Sequence, residues 1–314
     1  MEYAFLCSQR RHFLHIISMK KQLTILLIAL TLSGSAWAQM PHDAIYMPKK
    51  TVCIAGMYGQ SSWNEYWEGT LKRENFNIGT HTTRSLSVMP AIGISNRVNV
   101  ILNLPYVFTS TSAGNLMGQK GVQDLSAWLK VKAVSYKGLS LNAVVGGSLP
   151  VGNYVPDFLP MSIGLQARTV SGRLLVNYTH PKTGLYFTAH GTYNWRSNIR
   201  VDRDAYQADG RVYNTNEVRV PNAYDAAVRL GIVRRMWQTE VFAERFACVG
   251  GDNIRRNDMP FPANKMEATQ VGLYAKVQPR NLGLNARVAY VTDGLNAGQS
   301  TSFMVGVLYQ IHFN

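Results

Sequence analysis

The chain has 314 residues, of which 46% are hydrophobic and only 16% charged, with a mean hydropathy of −0.10. That is too polar for a bundle of membrane helices and too poor in charge for an ordinary helical soluble protein, yet it suits strands that are apolar on one face only. The net charge of +14 comes from Lys and Arg placed singly or in pairs, without the longer basic run of a nucleic-acid interface. A positive wall facing water, or contacts to acidic lipopolysaccharide, accounts for it better.

Residues 19–38 carry the three parts of a secretory signal: basic Met19-Lys20-Lys21, apolar Leu23 to Leu32, and the small-residue site Ala36-Trp37-Ala38. Cleavage would leave Gln39 as the new N-terminus, and the absence of a following Cys argues against a lipid anchor. For residues 1–18 two explanations stand: a start placed too early, with Met19 the true start, or an unusually long n-region. Without Arg10, Arg11, Lys20, Lys21 and Glu2 of the leader, the chain keeps a net charge of about +11. Beyond Ala38 there is no apolar run of roughly 18 residues, so no transmembrane helix is expected. Residues 39–50 are expected to be a short periplasmic segment, and 51–314 the folded domain.

Side chains at i and i+2 of a strand share a face, so a wall between lipid and water must alternate. In 303–313, Phe303, Val305, Val307, Tyr309, Ile311 and Phe313 oppose Met304, Gly306, Leu308, Gln310 and His312. The stretches 125–133, 185–196 and 268–278 alternate as cleanly. The same rule places strands near 51–60, 83–94, 97–109, 139–149, 161–179, 223–236, 239–249 and 284–292, twelve in all, an even number as bacterial barrels require. In 239–249 Glu240 and Glu244 share a face with Phe242 and Phe246, which leaves inside and outside open; 161–179 is long enough to break at Ser171-Gly172. Gly146-Gly147 reads as a bend within its strand.

Short joins at 95–96, 136–138, 181–184, 236–238 and 279–281 alternate with long polar ones at 61–82, 110–121, 150–160, 197–222, 250–265 and 293–301. A soluble sandwich has no reason to sort loops by length, whereas an outer-membrane barrel turns tightly in the periplasm and loops out on the far side. Tyr106, Tyr136, Tyr178, Tyr193, Trp195, Trp237, Tyr290 and Phe313 fall at strand ends, where an interfacial girdle would lie. The fold class expected is therefore all-β: a transmembrane antiparallel up-and-down barrel in the outer membrane of a Gram-negative cell. Its partners would be lipid, lipopolysaccharide, small solutes and the barrel assembly machinery, which reads an aromatic C-terminal strand. Here Phe313 is penultimate, a departure from that pattern.

One stretch carries a family likeness. Gly93-Ile94-Ser95-Asn96-Arg97-Val98-Asn99-Val100 leads to Asn103-Leu104-Pro105-Tyr106, then Gly121-Val122-Gln123-Asp124-Leu125 and Ser148-Leu149-Pro150-Val151-Gly152. These residues resemble the outer-membrane family named for the meta-pathway of phenol degradation, a group of transporter barrels. Gln123 stands where Gly is commoner and Val151 where Thr is commoner. The resemblance covers about a quarter of the chain; it implies a barrel and uptake of hydrophobic compounds, without fixing phenol as the substrate.

Inward faces are expected to carry Lys130, Lys132, Arg168, His190, Arg196, Arg229, Arg235, Lys276 and Arg287, with Asp124, Asp225 and Glu244 as partners. These nine would either pair across a narrow lumen and stiffen it, or line a pore that favours anions. Some twelve-stranded outer-membrane barrels are phospholipases with His and Ser two residues apart, and His190-Gly191-Thr192 is the nearest imitation. Thr is a poor nucleophile without a neighbouring base, so no catalytic residue is assigned. Tyr58, Trp63, Tyr66 and Trp67 form an aromatic cluster suited to interface anchoring or to an apolar ligand. Cys53 and Cys248 fall near opposite barrel ends, and no disulfide, metal, phosphate-loop or dinucleotide signature is present. The function expected is passive uptake of small hydrophobic, aromatic or anionic solutes; the alternative is a barrel serving structure or adhesion.

Overall fold

The computed structural model describes residues 40–313, apart from Asp209 and Asn257. The leader, the alternative start at Met19 and the cleavage site lie outside the described residues. Twelve long strands make the wall: β1 (Thr51–Trp63), β2 (His81–Ser95), β3 (Val98–Thr111), β4 (Asp124–Tyr136), β5 (Leu139–Pro150), β6 (Thr169–Thr179), β7 (Leu185–Arg196), β8 (Asn222–Val233), β9 (Trp237–Val249), β10 (Glu267–Val277), β11 (Leu282–Leu295) and β12 (Thr301–His312). Each pairs antiparallel with its sequence neighbours. β12 then pairs back onto β1, from Thr51 opposite His312 to Ser62 opposite Thr301. Closure follows from the solvent: in hydrocarbon a strand's N–H and C=O groups find partners only on another strand, so no edge can remain.

The alternation expected from the sequence sorts side chains between lipid and lumen. On β6 Leu174 is 65% exposed while its neighbour Leu175 is fully buried. Outward-facing Val88, Leu230, Val241, Leu273, Leu284 and Val307 continue this apolar belt around the barrel. Tyr106, Tyr136, Tyr178, Trp195, Trp237, Tyr290 and Phe313 are exposed, and Tyr193 packs on Trp195 with ring centroids 4.8 Å apart. A bulge between Lys132 and Val134 in β4 resets the parity, which keeps Val134 and Tyr136 on the lipid side.

Tight turns at 96–97, 137–138, 180–184, 234–236 and 278–281 share one end of the barrel with the start of β1 and the end of β12. Lys137 and Gly138 take φ values of 45° and 88°, the two left-handed positions of a primed hairpin turn. The longer connections, 64–80, 112–123, 151–168, 197–221, 250–266 and 296–300, all lie at the other end. This segregation sets the turn end in the periplasm.

The structure refines several local expectations. β6 begins at Thr169, not near 161, because Met161, Ile163 and Ala167 turn into buried loop packing. The strand runs unbroken through Ser171 and Gly172, which pair with Asn194 and Tyr193. Gly146 has a packing role as well: a Cβ there would overlap the Trp128 ring, so the glycine is a hole for that indole. In the aromatic cluster, Trp67 is buried and its backbone N–H donates to the Ala297 carbonyl at 2.8 Å, tying two loops together; Tyr58, beside Phe303, and Trp63, the last residue of β1, stay on the wall. Loop 197–221 keeps its arginines exposed but closes through two short antiparallel pairings, the outer enclosing the inner hairpin, over an apolar cluster of Ile199, Val201, Val218 and Val220.

Leu273→Arg on the lipid face is expected to cost about 2–4 kcal/mol. Urea unfolding in lipid vesicles checks this; an unchanged midpoint would contradict the assignment of faces.

Candidate functional site

The lumen holds its own chain. Residues 40–47, expected as a periplasmic extension, instead run inside the barrel: Met40 and Met47 are buried in one cluster with Cys53, Ala55, Met57, Met89, Ile101, Phe242, Tyr274 and Leu308. The correction has an electrostatic reason. Lys130 is completely buried, and its ammonium donates to Asp43 Oδ1 at 2.8 Å, the Ile45 carbonyl at 2.9 Å and the Met40 carbonyl at 3.2 Å. An ammonium taken out of water must find such acceptors.

The family-like stretch turns out to seat this segment. Asn99 donates to the Met47 carbonyl at 3.2 Å, Asn96 Oδ1 accepts from the Lys49 amide at 3.1 Å, and the Gly93 carbonyl accepts from the Lys50 amide at 3.0 Å. A Cβ on Gly93 would overlap the Pro48 carbonyl, so only glycine lets the segment pass that close. At the opposite end, a Cβ on Gly152 would overlap the Val122 carbonyl, so the other half of the likeness holds the loops together.

Of the nine residues expected to face inward, Lys130, Lys132, His190, Arg196, Arg229, Lys276 and Arg287 lie on inward-facing strand positions, most of them buried. Arg168 and Arg235 do not. Arg168 is exposed in the connection just before β6, whose inward positions are odd-numbered; the cation that faces the lumen from this strand is Arg173. Arg235 is exposed in the tight turn after β8 ends at Val233.

The inward charges are organised in two wall clusters. Arg229 pairs with Glu240 at 2.6 Å and with Glu244, and Arg287 reaches Glu244 at 2.7 Å, both guanidiniums stacking over Phe242. This resolves β9: its two glutamates point inward. The second cluster centres on Asp225, which lies 3.4 Å from both Arg173 and His190 and accepts from Thr192 at 2.8 Å and Asn194 at 3.1 Å. Thr192 thus gives its proton to Asp225 and accepts from Arg173 at 2.7 Å. A nucleophile would instead need His190 as its base. Cys53 and Cys248 are both free thiols.

Two cavities lie along the segment. A cavity of about 550 Å³ on the loop side is lined by His42, Trp63, Arg173, His190, Asp225 and Glu244. One of about 330 Å³ on the turn side is lined by Asp43, Tyr46, Lys132, Tyr186 and Glu240. His42 borders the first and Asp43 to Pro48 border the second, so the segment runs past both. His42 is held well below the ordinary imidazole value by burial and by the nearby Arg229, Arg173, Arg287 and His190.

A closed antiparallel barrel with an apolar outer belt, a polar interior and loops sorted by length is an outer-membrane β-barrel. No family model matches the chain, and no curated protein matches it in sequence. Among solved structures it is similar to an outer membrane channel from Pseudomonas putida F1, with 16% identity and a TM-score of 0.69 over 87% of this chain and 100% of that one. It is also similar to the NanC porin, with 9% identity and a TM-score of 0.46 over 83% of this chain and 100% of that one. A third is the translocator domain of the autotransporter NalP from Neisseria meningitidis, with 13% identity and a TM-score of 0.49 over 94% and 95%. At these identities the likeness is one of fold.

Gly93→Ala is expected to unseat the segment without weakening the barrel. Protease would then trim residues 40–47 several-fold faster at an unchanged melting temperature; equal trimming would contradict the seat. The lowered value of His42 means that the docked segment binds fewer protons than the free one. Docking is therefore fully present above the ordinary imidazole value of about 6.5 and weakens as pH falls through it. An environment-sensitive dye at Ala44→Cys, in a background lacking Cys53 and Cys248, should report release between about pH 7 and 5, and His42→Gln should flatten that response.

Proposed function

We propose that the chain is an outer-membrane channel for passive passage of small solutes, closed at rest by its own N-terminal segment. The observation that carries this is the pair of lumen cavities, about 550 Å³ and 330 Å³, both bordered by a segment held through hydrogen bonds and one ion pair. A barrel that served only as a scaffold would gain more from filling this space with wall side chains, as small barrels do.

Two features favour solutes that combine an apolar body with negative charge. The inward cations Lys130, Lys132, Arg173, Arg196, Arg229, Lys276 and Arg287 outnumber the wall's inward acids Asp124, Asp225, Glu240 and Glu244, and rings of Lys and Arg attract anions. Among them lie Met57, Met89, Trp128, Phe242 and Tyr274, which offer an apolar surface. The likeness of residues 93–152 to the meta-pathway family supports hydrophobic compounds as cargo. The pore-lining role belongs to these inward cations and to His190.

Planar-bilayer recording of the mature chain and of a form lacking residues 40–47 tests the proposal. The shortened form should conduct at least several-fold more, with a reversal potential in a KCl gradient that favours chloride. Silent bilayers from both forms would instead favour a barrel without a transport role, and cation preference would count against the charged wall.

A further inference from the structure

Lys130 has an unusual set of partners. It projects from the middle of β4, fully buried, yet each acceptor its ammonium meets at hydrogen-bond distance (Asp43, Met40 and Ile45) belongs to the lumen segment. The wall has placed a cation where only a removable element completes it. Asp43 is the sole acid between residues 40 and 50. Its carboxylate is held ready by the segment itself, accepting from the Met40 amide at 2.7 Å and the Ile45 amide at 2.9 Å.

Three residues on, the Tyr46 ring lies 4.8 Å from the Lys130 ammonium and 4.5 Å from that of Lys132. Both cations thus meet the face of one aromatic ring. The segment therefore presents to the wall a carboxylate and a phenol ring side by side, the two functional groups of an aromatic acid. Beside them lies the cavity of about 330 Å³, bordered by Ile45, Tyr46, Lys132, Tyr186 and Thr188, which mixes apolar surface with a few polar groups. Its size is at the small end of ligand pockets, roughly 300–1,000 Å³.

We infer that Lys130 and Lys132 form a binding site for a small aromatic monocarboxylate, occupied at rest by the chain's own Asp43 and Tyr46. The inference rests on the channel function proposed above and names its solute class. A solute carboxylate that engages Lys130 takes the place of Asp43, so solute and plug compete for one cation. The segment loses its main polar anchor in the same event that binds the solute, which couples opening to the presence of cargo. A neutral aromatic of equal shape has no such claim on the ammonium, because it cannot replace the charge that burial of Lys130 requires.

Isothermal titration calorimetry of the mature barrel in detergent tests this with two probes of nearly equal shape, benzoate and benzamide. Benzoate should bind at least tenfold more tightly than benzamide. Asp43→Asn, which keeps the segment's shape but removes the competing charge, should tighten benzoate binding a further tenfold or more and leave benzamide unchanged. Lys130→Met should erase the preference for benzoate; should that variant fail to assemble, the Asp43→Asn comparison decides alone. Equal binding of the two probes, or no tightening in Asp43→Asn, overturns the site. Selective benzoate binding in a protein that passes no ions, with or without residues 40–47, would support the site and remove the channel function. Ion flux without benzoate preference would do the reverse.

Discussion

Hydrocarbon gives an extended backbone no partner for its N–H and C=O groups, and that constraint organises the whole molecule. It forces each strand to pair on both sides, and the pairing of β1 with β12 is the step that removes the last edge. Once closed, the wall has two solvents. The period of two then assigns each residue to lipid or to the interior, which is why Leu174 and Leu175 can be adjacent in sequence and opposite in burial. Closure at twelve strands also leaves a lumen with room to spare, and what fills it decides what the barrel can do.

The interior is settled by charge. A buried cation is tolerable only when it is paired and hydrogen-bonded. Arg229 and Arg287 meet this demand with Glu240 and Glu244 across β8, β9 and β11, a network that ties three strands together. Arg173 and His190 share Asp225 in the same way on β6, β7 and β8. Lys130 differs from these, since its carboxylate comes from outside the wall. The consequence is a lumen whose stiffness and whose closure rest on different groups: the wall clusters keep the barrel rigid, while the Lys130 contact can be lost without breaking a strand pair.

The wall was legible in the sequence because lipid and lumen impose opposite demands at every second residue. The loops were legible by length alone. What failed did so where one residue of shift matters. In 161–179 apolar residues such as Leu174 and Leu175 stand side by side, so the pattern leaves parity open, and Arg173, not Arg168, is the cation that faces inward. Arg235 follows apolar residues that read as strand, yet the strand ends two residues earlier, at Val233. The lumen segment was not legible, because Met40 to Pro48 has no period and its fold depends wholly on partners far along the chain. A signal did exist: one acid, Asp43, ahead of a wall with surplus inward cations. The glycine and asparagines at 93, 96 and 99 looked like a turn and are also a cradle.

The account stands on residues 40–47 lying inside the lumen, against the inner wall. Cys53 is a natural reporter, being 2% exposed and packed in the same cluster as Met40 and Met47. In a Cys248→Ser background, the rate at which a water-soluble maleimide modifies Cys53 measures whether the segment covers it. The account requires slow labelling of the mature barrel and labelling at least tenfold faster once residues 40–47 are removed. Equal rates in the two proteins would mean that the segment is not where it is described, and the plugged channel would have to be abandoned.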